Sequence, residues 1–300
     1  MRLSRLQVIG AAALFSTGGA AIKGTSYTGI PEGLEVAGFR SGIGALVIAL
    51  VLPASRRGWT WRTWAVGAAY AATVILFVLA NKQTTSANAI FLQSAAPLYV
   101  LVAGVVVLRE RVRRPDVLLM LVLVAGLSLF LVDPGDAVAT APDPALGNAL
   151  AAASGVTWAA TLLGLRWLGR GAGGAGGAAG ATVTGNLIAA AICIPTAIPP
   201  TGDAADWLLI AYLGVAQIGL AYVLLTSAVR HVPAFEVSLL LLVEPALNPV
   251  WSWIVHGERP GGAAIAGGLL ILGATAAKVA LDGRRGTTTA LEPPTPAAPP

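Results

Sequence analysis

Apolar residues run along this chain in long, nearly unbroken blocks separated by short polar interruptions. The blocks fall at roughly 6–26, 34–53, 63–80, 85–108, 116–132, 145–168, 178–198, 206–229, 234–256 and 261–281, each near the about 17–25 residues that a bilayer-spanning helix needs. Pro115, Pro233 and Pro260 stand where a new helix would begin, the position at which a missing N–H costs nothing. The pattern predicts an all-α integral membrane protein of about ten transmembrane helices. Residues 283–300 are rich in Pro, Thr and Ala and predict a disordered tail.

Composition agrees with the pattern. The 300-residue chain is 56% hydrophobic and only 11% charged, against about 25% charged in soluble domains. Its mean hydropathy is +0.77. The single cysteine, Cys193, excludes an internal disulfide and a cysteine-based zinc site. The placement of charge matters more than the net +5. With the N-terminus taken as cytoplasmic, the basic residues gather at cytoplasmic ends and loops: Arg2, Arg5, Arg56, Arg57, Arg62, Arg109, Arg111, Arg113, Arg114, Arg166, Arg170, Arg230, Lys278, Arg284 and Arg285. The opposite loops hold Lys82 and Arg259 and collect Glu32, Glu35, Asp133, Asp136, Asp143, Asp203, Asp206 and Glu258. This asymmetry predicts an even number of spans with both termini inside.

The chain also repeats itself. Pro97 precedes the pair Glu110-Arg111 by the same 13 positions (97 to 110) that separate Pro245 from Glu258-Arg259 (245 to 258). A Gly/Ala/Leu-rich segment follows each, with Gly126 and Gly273 in near-equivalent places. The expected organisation is a repeat over 5–132, a second over 145–282, and the tail. Five helices per half is odd, so the second half enters the membrane from the opposite side, an arrangement that supplies two related conformations, one open to each face.

The stretch SLLLLVEPALNPVWSWIVHGERPGGAAIAGGLLILGA (Ser238 to Ala274) resembles the end of the repeat of EamA-type members of the drug/metabolite transporter superfamily. So does SAAPLYVLVAGVVVLRERVRRPDVLLMLVLVAG (Ser94 to Gly126), and FSTGGAAIKG followed by GFRSGIGAL around Arg40 resembles its start. The resemblance implies ten helices, both termini inside and a central cavity between the halves. It further implies export of small polar metabolites such as amino acids, often proton-coupled, with no cofactor. The expected partners are a small-molecule substrate and the lipid bilayer, not nucleic acid, with a monomer or homodimer as the working unit.

Charges inside a bilayer are costly and usually functional. Glu244 stands about eleven residues into the ninth segment, roughly 16 Å deep, near the midplane. Asn248 and Ser252 follow on the same face. A carboxylate there can carry a proton through a transport cycle or hold a substrate ammonium, or it can be a packing glutamate. Lys23 and Arg40 are read toward the outer ends of the first two helices, where a substrate carboxylate competes with snorkelling or with pairing to Glu32 or Glu35. Glu236 beside Arg230 and His231 reads as an interfacial ion pair, and Glu110 and Glu258 as helix-end markers. Among neutral groups, Asn88 and Gln93 on the fourth segment, Trp158 on the sixth, Asn186 on the seventh, and Gln217 and Tyr222 on the eighth can line a wet path or join helices. Tyr70 and Thr73 share a face of the third.

Gly169, Gly171 and Gly174 fit the G-x-G-x-x-G spacing, but they lie in GRGAGGAGGAAG between two apolar segments, with no strand before them, and read as a flexible connection. An intramembrane enzyme would need H-E-x-x-H, G-x-S-x-G or a buried aspartate pair, none of which the sequence contains. It has no Walker A motif either, so ATP-driven transport by this chain alone is not expected. A channel or lipid flippase is the remaining alternative.

Overall fold

The computed structural model describes residues 2–96, 98–100, 102, 114–132, 138–169, 174–228, 231–232, 237 and 240–291. The first span, Arg2–Gly24, is two helices, α1 (Arg2–Ser16) and α2 (Gly18–Gly24). They are broken at Thr17, whose hydroxyl bonds back to the Leu14 carbonyl instead of leaving the chain a regular helix. Helix α3 (Ile30–Val51) starts with a proline in its first turn and crosses the layer uncharged except at Arg40 once past Glu32 and Glu35. Helix α4 (Trp61–Gln83) is fixed by a reciprocal cap between Thr60 and Thr63. Helix α5 (Ser86–Gln93) is capped by Thr85, which accepts from the Asn88 N–H.

After α6 (Arg114–Val132), α7 (Pro144–Gly169) and α8 (Gly174–Cys193), the eighth span runs Ala204–Ala228. It opens as α9 (Ala204–Tyr212), capped reciprocally by Asp203 and Asp206, widens into a π-helix over Leu213–Leu220, and closes as α10 (Ala221–Ala228). Helix α11 (Val243–His256) stops at Gly257, whose φ of +68° suits a residue without a Cβ. Helix α12 (Gly262–Leu291) is the last. Among the described residues, six helices are long and apolar enough to cross a membrane, and Val117–Phe130 and Gly262–Ala277 are shorter apolar stretches. The one β feature among them is a turn in which Val138 and Ala141 pair backbone to backbone.

The radial pattern is that of a membrane protein. Leu46, Leu118, Leu121, Leu208, Ile254 and Leu269 face outward, while Arg40, Asn81, Asn148, Asn186 and Asn248 are buried. Helix pairings come in mates five spans apart. Helix α4 packs on α7 as α10 packs on α1; α5 packs on α7 as α11 packs on α1; α4 packs on α8 as the π-helix packs on α3. The pairs α3–α8 and α6–α12 are their own mates. This is a two-fold relation between two repeated halves.

The structure corrects the sequence reading in three places. Helix α12 continues to Leu291, past Gly283 where a disordered tail was expected to begin, because no proline interrupts it before Pro293. Gly174 to Gly180, expected as loop, is already helical in α8. The ninth segment is not one helix from 234: Leu242 is a turn, and the continuous helix begins at Val243. Pro97, Glu110, Arg111, Arg230 and Glu236 lie outside the described residues.

Candidate functional site

Arg40 sits halfway along the 22-residue α3, not toward an end, because the helix begins at Ile30 and so takes in the acids that the sequence reading left outside it. It is buried, at 2% exposure. A guanidinium carries five N–H donors. Here Nη1 donates to Gln217 Oε1 at 3.5 Å and Nη2 to the Val74 carbonyl at 3.3 Å, both long, and Nε has no partner. Its titratable neighbours are Tyr70, Tyr222 and Cys193.

Around it the two halves of the chain meet. Tyr70 and Tyr222 stack edge to face, with ring centroids 5.9 Å apart, and Phe15 packs edge-on against Tyr222 at 5.1 Å. Trp158 packs on the same cluster. Asn186 donates to the Thr182 carbonyl and, at 3.5 Å, to the Tyr70 hydroxyl, leaving its Oδ1 without a partner. Gln217, inside the π-helix, also donates to the Phe15 carbonyl. That contact depends on Gly18, since a Cβ there would stand 2.8 Å from Gln217 Nε2.

Glu244 lies within electrostatic reach of Tyr70 and Tyr222. It occupies the first turn of α11, where the positive end of the helix dipole favours a carboxylate. Pro245 beside it needs no N–H partner at that position. Glu244 lies twelve positions before the helix end at His256, about 18 Å at 1.5 Å per residue. Glu244 makes no hydrogen bond or ion pair among the described residues.

A second polar cluster closes the end of the bundle where Glu32, Asp206 and Glu258 lie. Lys23 pairs with Glu258 at 2.9 Å, with side chains 2% and 5% exposed. The Lys23 ammonium also donates to the Thr84 carbonyl at 2.8 Å and to the Thr140 carbonyl presented by the Val138–Ala141 turn. Glu258 Oε2 accepts from the Ser86 N–H, and His256 Nε2 bonds the Ala20 carbonyl. Nearby, Lys82 is buried on the Thr25 hydroxyl and the Tyr27 carbonyl, and Glu35 accepts from Tyr27 and Thr201. Lys23 therefore binds neither Glu32 nor Glu35, and Glu258 is an ion-pair partner rather than only a helix-end marker. Beneath this latch, Asn248, Ser86 Oγ and Ser252 Oγ are buried without hydrogen-bond partners. Gly19 lets them approach: a Cβ there would meet Asn248 Oδ1 at 2.7 Å and Ser86 Oγ at 2.8 Å.

Of the residues singled out in the sequence, the fold thus gathers Arg40, Trp158, Asn186, Gln217, Tyr222 and Glu244 into one cluster around Tyr70. It sends Lys23 and Asn248 to the latch. Asn88 and Gln93 join neither: Asn88 bonds Asn148 and Thr84, and Gln93 donates to Ser154, which bonds the Thr73 carbonyl. These are satisfied ties between α5, α7 and α4. Tyr70 was visible only as a polar position on an otherwise apolar face, and Glu258 only as the acid that repeats the spacing of Glu110.

The EamA-like transporter family model matches this chain twice, over residues 3–132 and 145–277. Comparison with curated proteins gives no match. A solved structure titled "Crystal structure of protein" is similar at a TM-score of 0.58 and 21% identity, covering 94% of this chain and 98% of that one. At that identity it bears on the fold alone.

Proposed function

The chain belongs to the EamA-like transporter family, membrane transporters rather than enzymes, and from that premise we propose that it exports small polar metabolites such as amino acids in exchange for protons. The central cluster is its substrate site. One observation carries this reading: halfway along α3 a buried guanidinium with unused donors lies in a cluster, built from both halves, that also reaches a carboxylate with no polar partner among the described residues. Arg40 holds a substrate carboxylate. Glu244 holds either a proton or a substrate ammonium, and Gln217, Asn186 and the two tyrosines supply neutral hydrogen bonds. An inverted repeat lets one site face each side in turn. The end carrying Arg2 and Arg56 is the cytoplasmic one, with both termini inside.

Proteoliposome flux against an imposed pH gradient tests the coupling. Glu244→Gln keeps shape and mimics the protonated state, so it abolishes gradient-driven flux while leaving expression near normal. Undiminished gradient-driven flux in that variant removes Glu244 from the coupling step. Orientation is tested separately by reporter fusions active only in the cytoplasm, which work at Arg57 and not at Asp203.

A further inference from the structure

Away from the central cluster, a groove of about 540 Å³ opens between α3 and α8 at the basic end of the bundle. That size is ordinary for a small-molecule site, about 300–1,000 Å³. It exists because three small residues on one face of α3, Gly42, Ala45 and Ala49, leave a trough where larger side chains would have met α8. Leu46, Val183 and Leu187 wall it. Leu46 and Leu187 are 58% and 39% exposed, so the trough opens to the side, toward lipid.

The chemistry changes only at the mouth. There the groove is lined by Trp59 and Arg56. Trp59 donates its indole N–H to the Ser55 carbonyl at 2.7 Å, which pins the short turn Pro53–Arg56 that carries the arginine. Trp59 and Trp64 form one edge-to-face pair at this end and Trp61 and Trp167 another, the aromatic arrangement of a membrane–water interface. The mouth therefore lies at headgroup depth. Arg62 is engaged, its guanidinium 4.6 Å from the Trp167 ring centre. The exposed Arg56 guanidinium makes no ion pair or hydrogen bond among the described residues. A long apolar trough open to lipid, with the Arg56 cation lining its mouth, matches a molecule with an acyl chain and an anionic head.

We propose that this groove is a phospholipid site, in which one acyl chain lies along Gly42, Ala45 and Ala49 and the headgroup phosphate of an anionic lipid pairs with Arg56. The wall residue Val183 packs with Ile48 and Ile218 in the cluster that also touches Tyr222. The lipid thus rests one layer of side chains behind the central cluster.

Native mass spectrometry of the full chain tests this with phosphatidylglycerol and phosphatidylcholine of identical acyl chains. The wild type should retain one phosphatidylglycerol at least tenfold more strongly than phosphatidylcholine. Arg56→Gln, a change at an exposed position, should remove that preference while leaving chain-driven binding. Arg57→Gln should leave the preference intact. Ala49→Phe fills the trough and should abolish the tight adduct of both lipids. The proposal is overturned if Arg56→Gln keeps the wild-type preference. Unchanged adducts in Ala49→Phe overturn it too, as does displacement of the lipid by inorganic phosphate alone. Loss of a dimer rather than of lipid in Ala49→Phe would assign the groove to a second copy of the chain.

Discussion

Lys23 and Arg40 both place their charged ends inside the bundle yet are held in opposite ways. The Lys23 ammonium donates to the Thr84 and Thr140 carbonyls and pairs with the Glu258 carboxylate at 2.9 Å. Arg40 uses two donors at 3.3 and 3.5 Å, has no acidic partner among the described residues, and leaves Nε unmatched. Burial alone therefore does not separate a structural charge from a functional one; the satisfaction of its donors does. A buried cation whose protons are all matched is a seal between helices. One with spare donors can take an anion that is not part of the chain, the role proposed for Arg40.

The contrast breaks most sharply at Glu258. Glu258→Gln keeps an acceptor for the Ser86 N–H but leaves Lys23 buried without a counter-charge, which should cost about 3–5 kcal/mol of stability, read as a large fall in thermal-unfolding temperature. If the double change Lys23→Met with Glu258→Leu unfolds as early as the single one, the latch is not an isolated pair. Arg40→Met should do the reverse. Removing an underpaired buried charge leaves stability unchanged or higher, while substrate counterflow falls by about 30- to 100-fold, corresponding to roughly 2–3 kcal/mol at RT near 0.59 kcal/mol. Arg40→Lys keeps the charge but loses the planar fork and should still lose most of the flux. A stability loss like that of Glu258→Gln would place Arg40 with Lys23 among structural charges.

Gly19→Ala sharpens the comparison from the backbone side. Its methyl enters the space taken by Asn248 Oδ1 and Ser86 Oγ and should cost about 1–3 kcal/mol. It should also raise thiol-reagent labelling of a cysteine placed at Ser252 in a Cys193→Ala background. Unchanged labelling would mean that the latch relaxes without opening. The smallest effect belongs to Tyr222→Phe, which keeps the ring contacts with Tyr70 and Phe15 and removes one hydroxyl. Flux should change by about fivefold, roughly 1 kcal/mol, with no shift in unfolding temperature.

Much of this fold could be read from the sequence, because spans and repeats are written in local composition and fixed spacings. The depth of Arg40 could not. Glu32 and Glu35 resemble loop residues, yet they lie within α3, with Glu35 accepting hydrogen bonds from Tyr27 and Thr201, far along the chain in one case. The partner of Lys23 lies in the opposite half of the chain, and no local pattern announces a pairing made only when the halves close. The same holds for Asn88 and Gln93, polar groups that look available until Asn148 and Ser154 arrive from α7. Glu244 was legible because a carboxylate amid apolar residues stands out whatever the helix boundaries are.

The eighth span has a consequence for the bilayer itself. Its 25 residues over Ala204–Ala228 would measure about 37 Å if α-helical throughout at 1.5 Å each, and the wider π-helical turn shortens that. A hydrocarbon layer of about 30 Å accommodates a longer span by tilt, by a kink or by local thickening. It runs alongside the first span, beginning against α2 and finishing against α1, with α3 beside it throughout. Thinner membranes deepen the slant and thicker ones straighten it. Gln217 lies in the middle of that span, so bilayer thickness is expected to bear on how it meets Arg40.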